Sequence, residues 1–124
     1  MSTQPKSPAV MSMDFKKNRI RVHRAVLHTL GDPKYIQLLI HPQSMAVAIR
    51  CLDIPRSGEP HHKISYRQMK SDNSYEIYSS SLMTKLSETI PNLDCGYSYR
   101  MAGKLDPAQR IAIFDLRTLQ PMES

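Results

Sequence analysis

The 124-residue chain predicts an α+β fold: duplicated β-α-β-β units packed about a pseudo-twofold axis as a barrel-like sheet with two short helices. Three observations predict it. Short β-rich runs alternate with turn signals. Two segments place apolar residues at helical spacing and end on helix-stopping residues. The order β-α-β-β occurs twice, over 20–52 and 75–116, with Ala46-Val47-Ala48-Ile49-Arg50 and Ile111-Ala112-Ile113-Phe114-Asp115 in matching places. A helix and three strands bury too little surface alone, so the two copies are expected to share one core and to pack as the subunits of a twofold dimer do.

The elements follow in order. Residues 1–13 are rich in Ser, Pro, Gln and Met without periodicity and read as a mobile tail. One domain is expected over 14–124. Ile20-Arg21-Val22-His23 alternates as a strand does. Val26, Leu27 and Leu30 have helical spacing, Gly31 suits the position after the helix, and Pro33 forbids continuation. Tyr35–Ile40 and Met45–Leu52 read as a hairpin around Pro42-Gln43-Ser44. Residues 53–74 form a linker whose first part, 53–63, carries prolines, a glycine and charges with nothing to bury. Ile64-Ser65-Tyr66 is either a short strand or loop. Tyr75–Tyr78 opens the second unit. Ser79-Ser80-Ser81 supplies an N-cap for a helix with Leu82, Met83, Leu86 and Ile90 on one stripe, and Pro91 ends it. Gly96–Gly103 and Arg110–Leu116 read as the closing strands across the turn Asp106-Pro107-Ala108-Gln109. The expected core is Ile20, Val22, Leu30, Ile36, Leu38, Val47, Ile49, Leu82, Leu86, Ile111 and Ile113.

Charge is unevenly spread. Seventeen basic against eleven acidic residues give +6. Residues 1–62 hold nine basic and four acidic residues, whereas 63–124 hold eight and seven. Such a field favours nucleic acid, an anionic membrane or an acidic protein. No run approaches the roughly 18 apolar residues of a membrane span, and nothing reads as a secretory signal, so a cytoplasmic protein without a membrane partner is expected. Cys51 and Cys95 form no CxxC and read as reduced.

Catalytic groupings are not visible. His61-His62 with His41 lacks the spacing of a metal site. Ser79–Ser81 lacks a nucleophile elbow, Asp94-Cys95-Gly96 reads as a turn, and no glycine-rich phosphate loop exists. The chain is therefore expected to be no enzyme, with no cofactor and no metal.

The sharpest feature is Lys16-Lys17-Asn18-Arg19-Ile20-Arg21-Val22-His23-Arg24, five cations and no carboxylate. On a strand, Arg19 and Arg21 face outward together while Ile20 and Val22 face the core. Lys16, Lys17, Arg19, Arg21 and Arg24 are thus the candidate nucleic-acid-binding residues, matched to phosphates by charge and to guanine edges by the guanidinium fork. A solvated strand face whose charge guards against edge-to-edge pairing is the competing reading. Tyr97 and Tyr99, on one face of a strand, would stack on bases or pack within the sheet.

Ile20 to Gly31, a short strand followed by a brief helix ending in Leu30-Gly31, resembles the opening of the AbrB/MazE-type swapped-hairpin DNA-binding domain, with Tyr35 to Arg50 as its hairpin. His23-Arg24 stands where that family usually has Pro-Lys, and the second half lacks the Leu-Gly. The resemblance implies a cradle-like barrel. Two units make it, either in a homodimer or, as in MraZ-like regulators, within one chain. Function on this reading is a small basic DNA-binding regulator acting on duplex DNA. The alternative is a protein-binding inhibitor or adaptor of a mobile genetic element, set against an acidic or nucleic-acid-binding partner.

Overall fold

A computed structural model describes residues 9–55, 57–68 and 73–122. Nine strands and two helices are arranged as β1 (Ala9–Asp14), β2 (Arg19–His23), α1 (Arg24–Thr29), β3 (Tyr35–His41), β4 (Ala46–Leu52), β5 (His62–Lys63), β6 (Ser74–Tyr78), α2 (Ser80–Thr89), β7 (Ser98–Asp106), β8 (Ile111–Asp115) and β9 (Gln120–Pro121). The strands form one antiparallel, nearly closed, barrel-like sheet in the order β5-β3-β4-β8-β7-β1-β2-β6, with β9 added to β7. The seam lies between β5 and β6, where the Tyr75 hydroxyl donates to the Lys63 carbonyl at 2.6 Å.

Alternation builds the wall. In β2, Ile20 and Val22 point inward, and in β4 Val47, Ile49 and Cys51 do. These join Leu27 and Leu30 near α1 and Met83 and Leu86 on α2 in one core. Gly31, with φ +92°, closes α1 in the left-handed region. Ser79 caps α2 by accepting from the Leu82 amide at 3.2 Å.

The pairing pattern is reciprocal between the halves. Exchanging β1–β4 for β5–β8 turns the β3–β4 hairpin into β7–β8 and the β1–β7 pair into β5–β3, and returns β2–β6 and β4–β8 to themselves. The β1–β2 hairpin has the open seam as its counterpart. The bonds between elements follow the same exchange. Arg24 N donates to Asn73 O at 2.7 Å and Ser79 N to Asn18 O at 3.0 Å, and both asparagines have positive φ. Cys51 N donates to Arg110 O at 3.0 Å and Leu116 N to Met45 O at 2.8 Å, and again both acceptors have positive φ. The self-paired contacts β2–β6 and β4–β8 fall on opposite sides of the ring.

Three expectations are corrected. The tail does not extend to residue 13: Ala9–Asp14 is a strand held on both edges, by β2 and β7, with Ala9, Met11 and Met13 buried. Unbranched thioethers fill the irregular interior, and their alternation was the missed signal. Residues 1–8 lie outside the described part. The 53–74 linker contains β5 and a 3-10 turn, Tyr66–Gln68, and Ile64 is buried. In β8 the inward residues are Ala112 and Phe114, both 0% exposed, while Ile113 is 50% exposed. Phe114 pairs with Val47 and Ala112 with Ile49, so the bulkier aromatic takes the interior.

Candidate nucleic-acid interface

Strand β2 lies between β1 and β6. Its outward residues therefore stand in cross-strand rows: Glu76–Arg21–Ser12–Arg100–Gln120 and Tyr78–Arg19–Asp14–Ser98. Arg19 and Arg21 point outward, but carboxylates engage both. Arg19 donates to Glu76 at 3.1 Å and to Asp14 at 3.3 Å, and Arg21 donates to Glu76 at 2.6 Å. The Glu76 side chain is 5% exposed. Burial pushes its carboxyl up, but hydrogen bonds from Arg21 and Tyr78 and the charges of both arginines outweigh this, so its pKa stays below the ordinary value. The middle of the predicted basic row is a charge-paired girder, in which each arginine spends part of its field on a fixed anion.

The other three candidates are exposed and engage no carboxylate side chain among the described residues. Lys16 and Lys17 sit in the β1–β2 turn, where Asp14 caps their backbone amides at 3.0 and 3.2 Å. Their side chains border an open groove with Tyr97, Ser98 and Met122. Arg24 stands at the far end of β2, with its guanidinium 5.7 Å from the centre of the Tyr66 ring. Five strand residues separate the two groups, roughly 16 Å of ladder. The five predicted residues thus form two free ends and a neutralised middle, and not one uniform row.

Sequence reasoning placed Lys63 and Arg67 in a linker. The structure places Lys63 at the seam and Arg67 in the 3-10 turn that follows β5. Lys63 lies on β5, at the seam beside Tyr75. Arg67 follows Tyr66, whose hydroxyl donates to the Pro33 carbonyl at 2.6 Å. Burial pushes the Tyr66 hydroxyl up to about 12, so it remains a donor. Arg100 extends the face across β7. The readable signal was the absence of any carboxylate between Glu59 and Asp72. Among the described residues on the β2–β6 rows and at their ends, the cations Lys16, Lys17, Arg19, Arg21, Arg24, Lys63 and Arg100 outnumber the carboxylates Asp14, Asp32 and Glu76.

Tyr97 and Tyr99 do not share a face. Tyr97 precedes β7 and is 54% exposed, whereas Tyr99 is buried edge-on against Phe15. Only Tyr97 is open to a ligand, and it lies beside the lysines. Burial raises the Cys51 thiol to about 11, which leaves it protonated and unreactive. Comparison with protein-family models, characterised proteins and solved structures returns no match.

Proposed function

We propose that this chain is a non-enzymatic DNA-binding regulator that holds duplex DNA against the outer face of β2–β6. One observation carries the reading: free cations border this face on three sides. Lys16 and Lys17 stand at one end of the ladder, Arg24 at the other, and Lys63 at the seam, with Arg67 in the 3-10 turn beyond it. The Arg19–Glu76–Arg21 network holds the platform rigid between them, and Arg100 with Tyr97 extends it over β7. Such an arrangement grips phosphates by charge.

We also propose that the barrel is a tandem duplication of one unit, β1-β2-α1-β3-β4 followed by β5-β6-α2-β7-β8. The reciprocal hydrogen bonds at Asn18/Asn73 and Met45/Arg110 support it. So does the order β-α-β-β of β2-α1-β3-β4 and β6-α2-β7-β8, which the swapped-hairpin resemblance implies for two units in one chain; β1 and β5 precede it in each half.

Anisotropy titration of labelled duplex DNA over a series of salt concentrations tests the function. Affinity is expected to fall with salt at a slope of about −0.9 per phosphate neutralised. Replacing Lys16, Lys17 and Arg67 by Ala together is expected to flatten the slope by up to about three. Absence of binding at low salt sinks the DNA reading and favours a protein partner on the same face.

A further inference from the structure

The opposite side of the ring has a different character. There the outward side chains of β3, β4, β8 and β7 make the cross-strand row Leu39–Ala48–Ile113–Lys104. Leu39 is 44% exposed and Ile113 50%. These are two large apolar side chains on either side of a small one, and no described helix covers them. Ala46 and Ala102 keep the adjoining positions low. Exposed apolar residues scattered singly need no explanation, but neighbours in one cross-strand row mark an interaction surface.

The charges around the patch indicate what meets it. Among the described residues Arg50, Lys104 and Arg117 stand against Asp106, Asp115 and Glu59, the last held over β3 by the Gln37 amide at 2.7 Å. Charge on this face is balanced among the described residues, whereas around β2–β6 the described cations outnumber the described carboxylates. In a chain of net +6, two copies repel least where charge cancels locally and apolar surface can be removed from water. Low side chains also allow two sheets to stack at the usual spacing of about 10 Å.

We infer that the outer face of β3-β4-β8-β7, centred on Ala48 and Ile113, is a self-association surface that takes a second copy of this chain. The interface is isologous: the same patch serves on both copies. The dimer turns its two cationic faces outward, away from one another. The inference stands on charge and exposure alone and does not depend on DNA being the ligand.

Sedimentation equilibrium of the full chain without DNA, from low to high micromolar concentration, decides it. The mass is expected to rise toward twice that of the chain. Ile113→Asp buries a charge on both sides of the interface and is expected to weaken the dimer at least about a hundredfold. Ile54→Asp, at the most exposed apolar residue of the 53–61 loop (79%), is expected to leave it unchanged. Circular dichroism checks that each variant is folded. If I113D does not fold, L39D carries the same test from the neighbouring strand. A wild-type chain that stays monomeric overturns the inference and assigns the patch to a different protein. A dimer that survives both folded substitutions, or that I54D disrupts equally, also overturns it.

Discussion

Replacing Glu76 with Gln separates the structural role of the basic strand from its proposed binding role, because the two respond with opposite signs. The carboxylate is 5% exposed and accepts from Arg19, Arg21 and Tyr78. Breaking a buried ion pair by removing one partner costs about 3–5 kcal/mol, while an exposed pair is worth about 0–1 kcal/mol. Arg19 and Arg21 are 19% and 31% exposed, so water reaches both, and the Gln oxygen still accepts one hydrogen bond. Together these place the loss at about 1–3 kcal/mol. The same change removes a negative charge from the face and releases guanidinium field toward solvent. DNA affinity should therefore rise, with the salt slope steeper by up to about one. Urea denaturation reads the first effect and anisotropy at several salt concentrations the second. Unchanged stability would show that Glu76 does not organise the ladder. Weaker DNA binding in a folded E76Q would refute the claim that the carboxylate competes with phosphate for these arginines.

The pH dependence follows from the same group. Because the folded Glu76 pKa lies below its unfolded value, its stabilisation is present above the unfolded pKa of about 4.3 and is lost as pH falls through the folded one. Urea midpoints measured downward from about pH 5 should drop more steeply for wild type than for E76Q. Arg110 donates to the Leu30 and Gly31 carbonyls at 2.9 and 3.3 Å and forks onto Asp53 at 2.7 and 3.1 Å, which ties the end of α1 to the β7–β8 turn. Arg110→Ala should cost about 1–3 kcal/mol from the uncapped carbonyls alone, and a melting temperature equal to wild type would refute this. A Cβ at Gly103 would lie 2.4 Å from the Ile113 carbonyl oxygen and 2.7 Å from Phe114, where β7 is flanked by β1 and β8. Gly103→Ala should destabilise by at least about 2 kcal/mol, measured by the same urea titration. Leu86→Ala, at a 0% exposed site on α2, should cost about 2–5 kcal/mol.

Local chemistry made most of the wall legible. Ile20 and Val22, the Pro42 and Pro107 turns, Gly31 and the Ser79 cap each announce their role within a few residues, and each occupies the place expected of it. What was hidden required partners distant in sequence. Ala9-Val10-Met11-Ser12-Met13-Asp14 alternates, but Met and Ala carry little β-propensity. Only pairing with β7 and β2 at once makes it a strand. The placement of Ile111 and Ile113 inward chose the more familiar β-branched residues. Yet the match of 111–115 to 46–50 already set Ala112 and Phe114 opposite Val47 and Ile49, the inward pair. In the candidate site, the free lysines were readable from the 16–24 stretch, and the neutralised arginines were not, since Glu76, 55 residues from Arg21, is brought beside them only by the β2–β6 pairing.

The pairing of β2 on both edges bears on the competing reading of the basic strand, in which its charge guards an edge. Charge that guards against edge-to-edge pairing belongs on an edge strand, and β2 has none: β1 pairs along one side and β6 along the other. Its arginines therefore do other work. Slipping β2 by one residue would drive Arg19 and Arg21 into the core and put Ile20 and Val22 in water, and the register Arg21↔Glu76 would be lost with its 2.6 Å bond. Hydrophobic alternation and cross-strand charge thus specify the same register. A strand fixed in this way can carry its cations on a rigid surface, while the cations free to meet phosphate stand at its ends and along the seam. Truncating Lys16, Lys17 or Arg67 should then change DNA affinity with little loss of stability. Truncating Arg19 or Arg21 should change both, and a double-mutant cycle with Glu76→Gln should return a coupling of about 0.5–3 kcal/mol in stability. Additive effects in that cycle would mean that the girder does not exist as a unit, and that the strand is held by its apolar face alone.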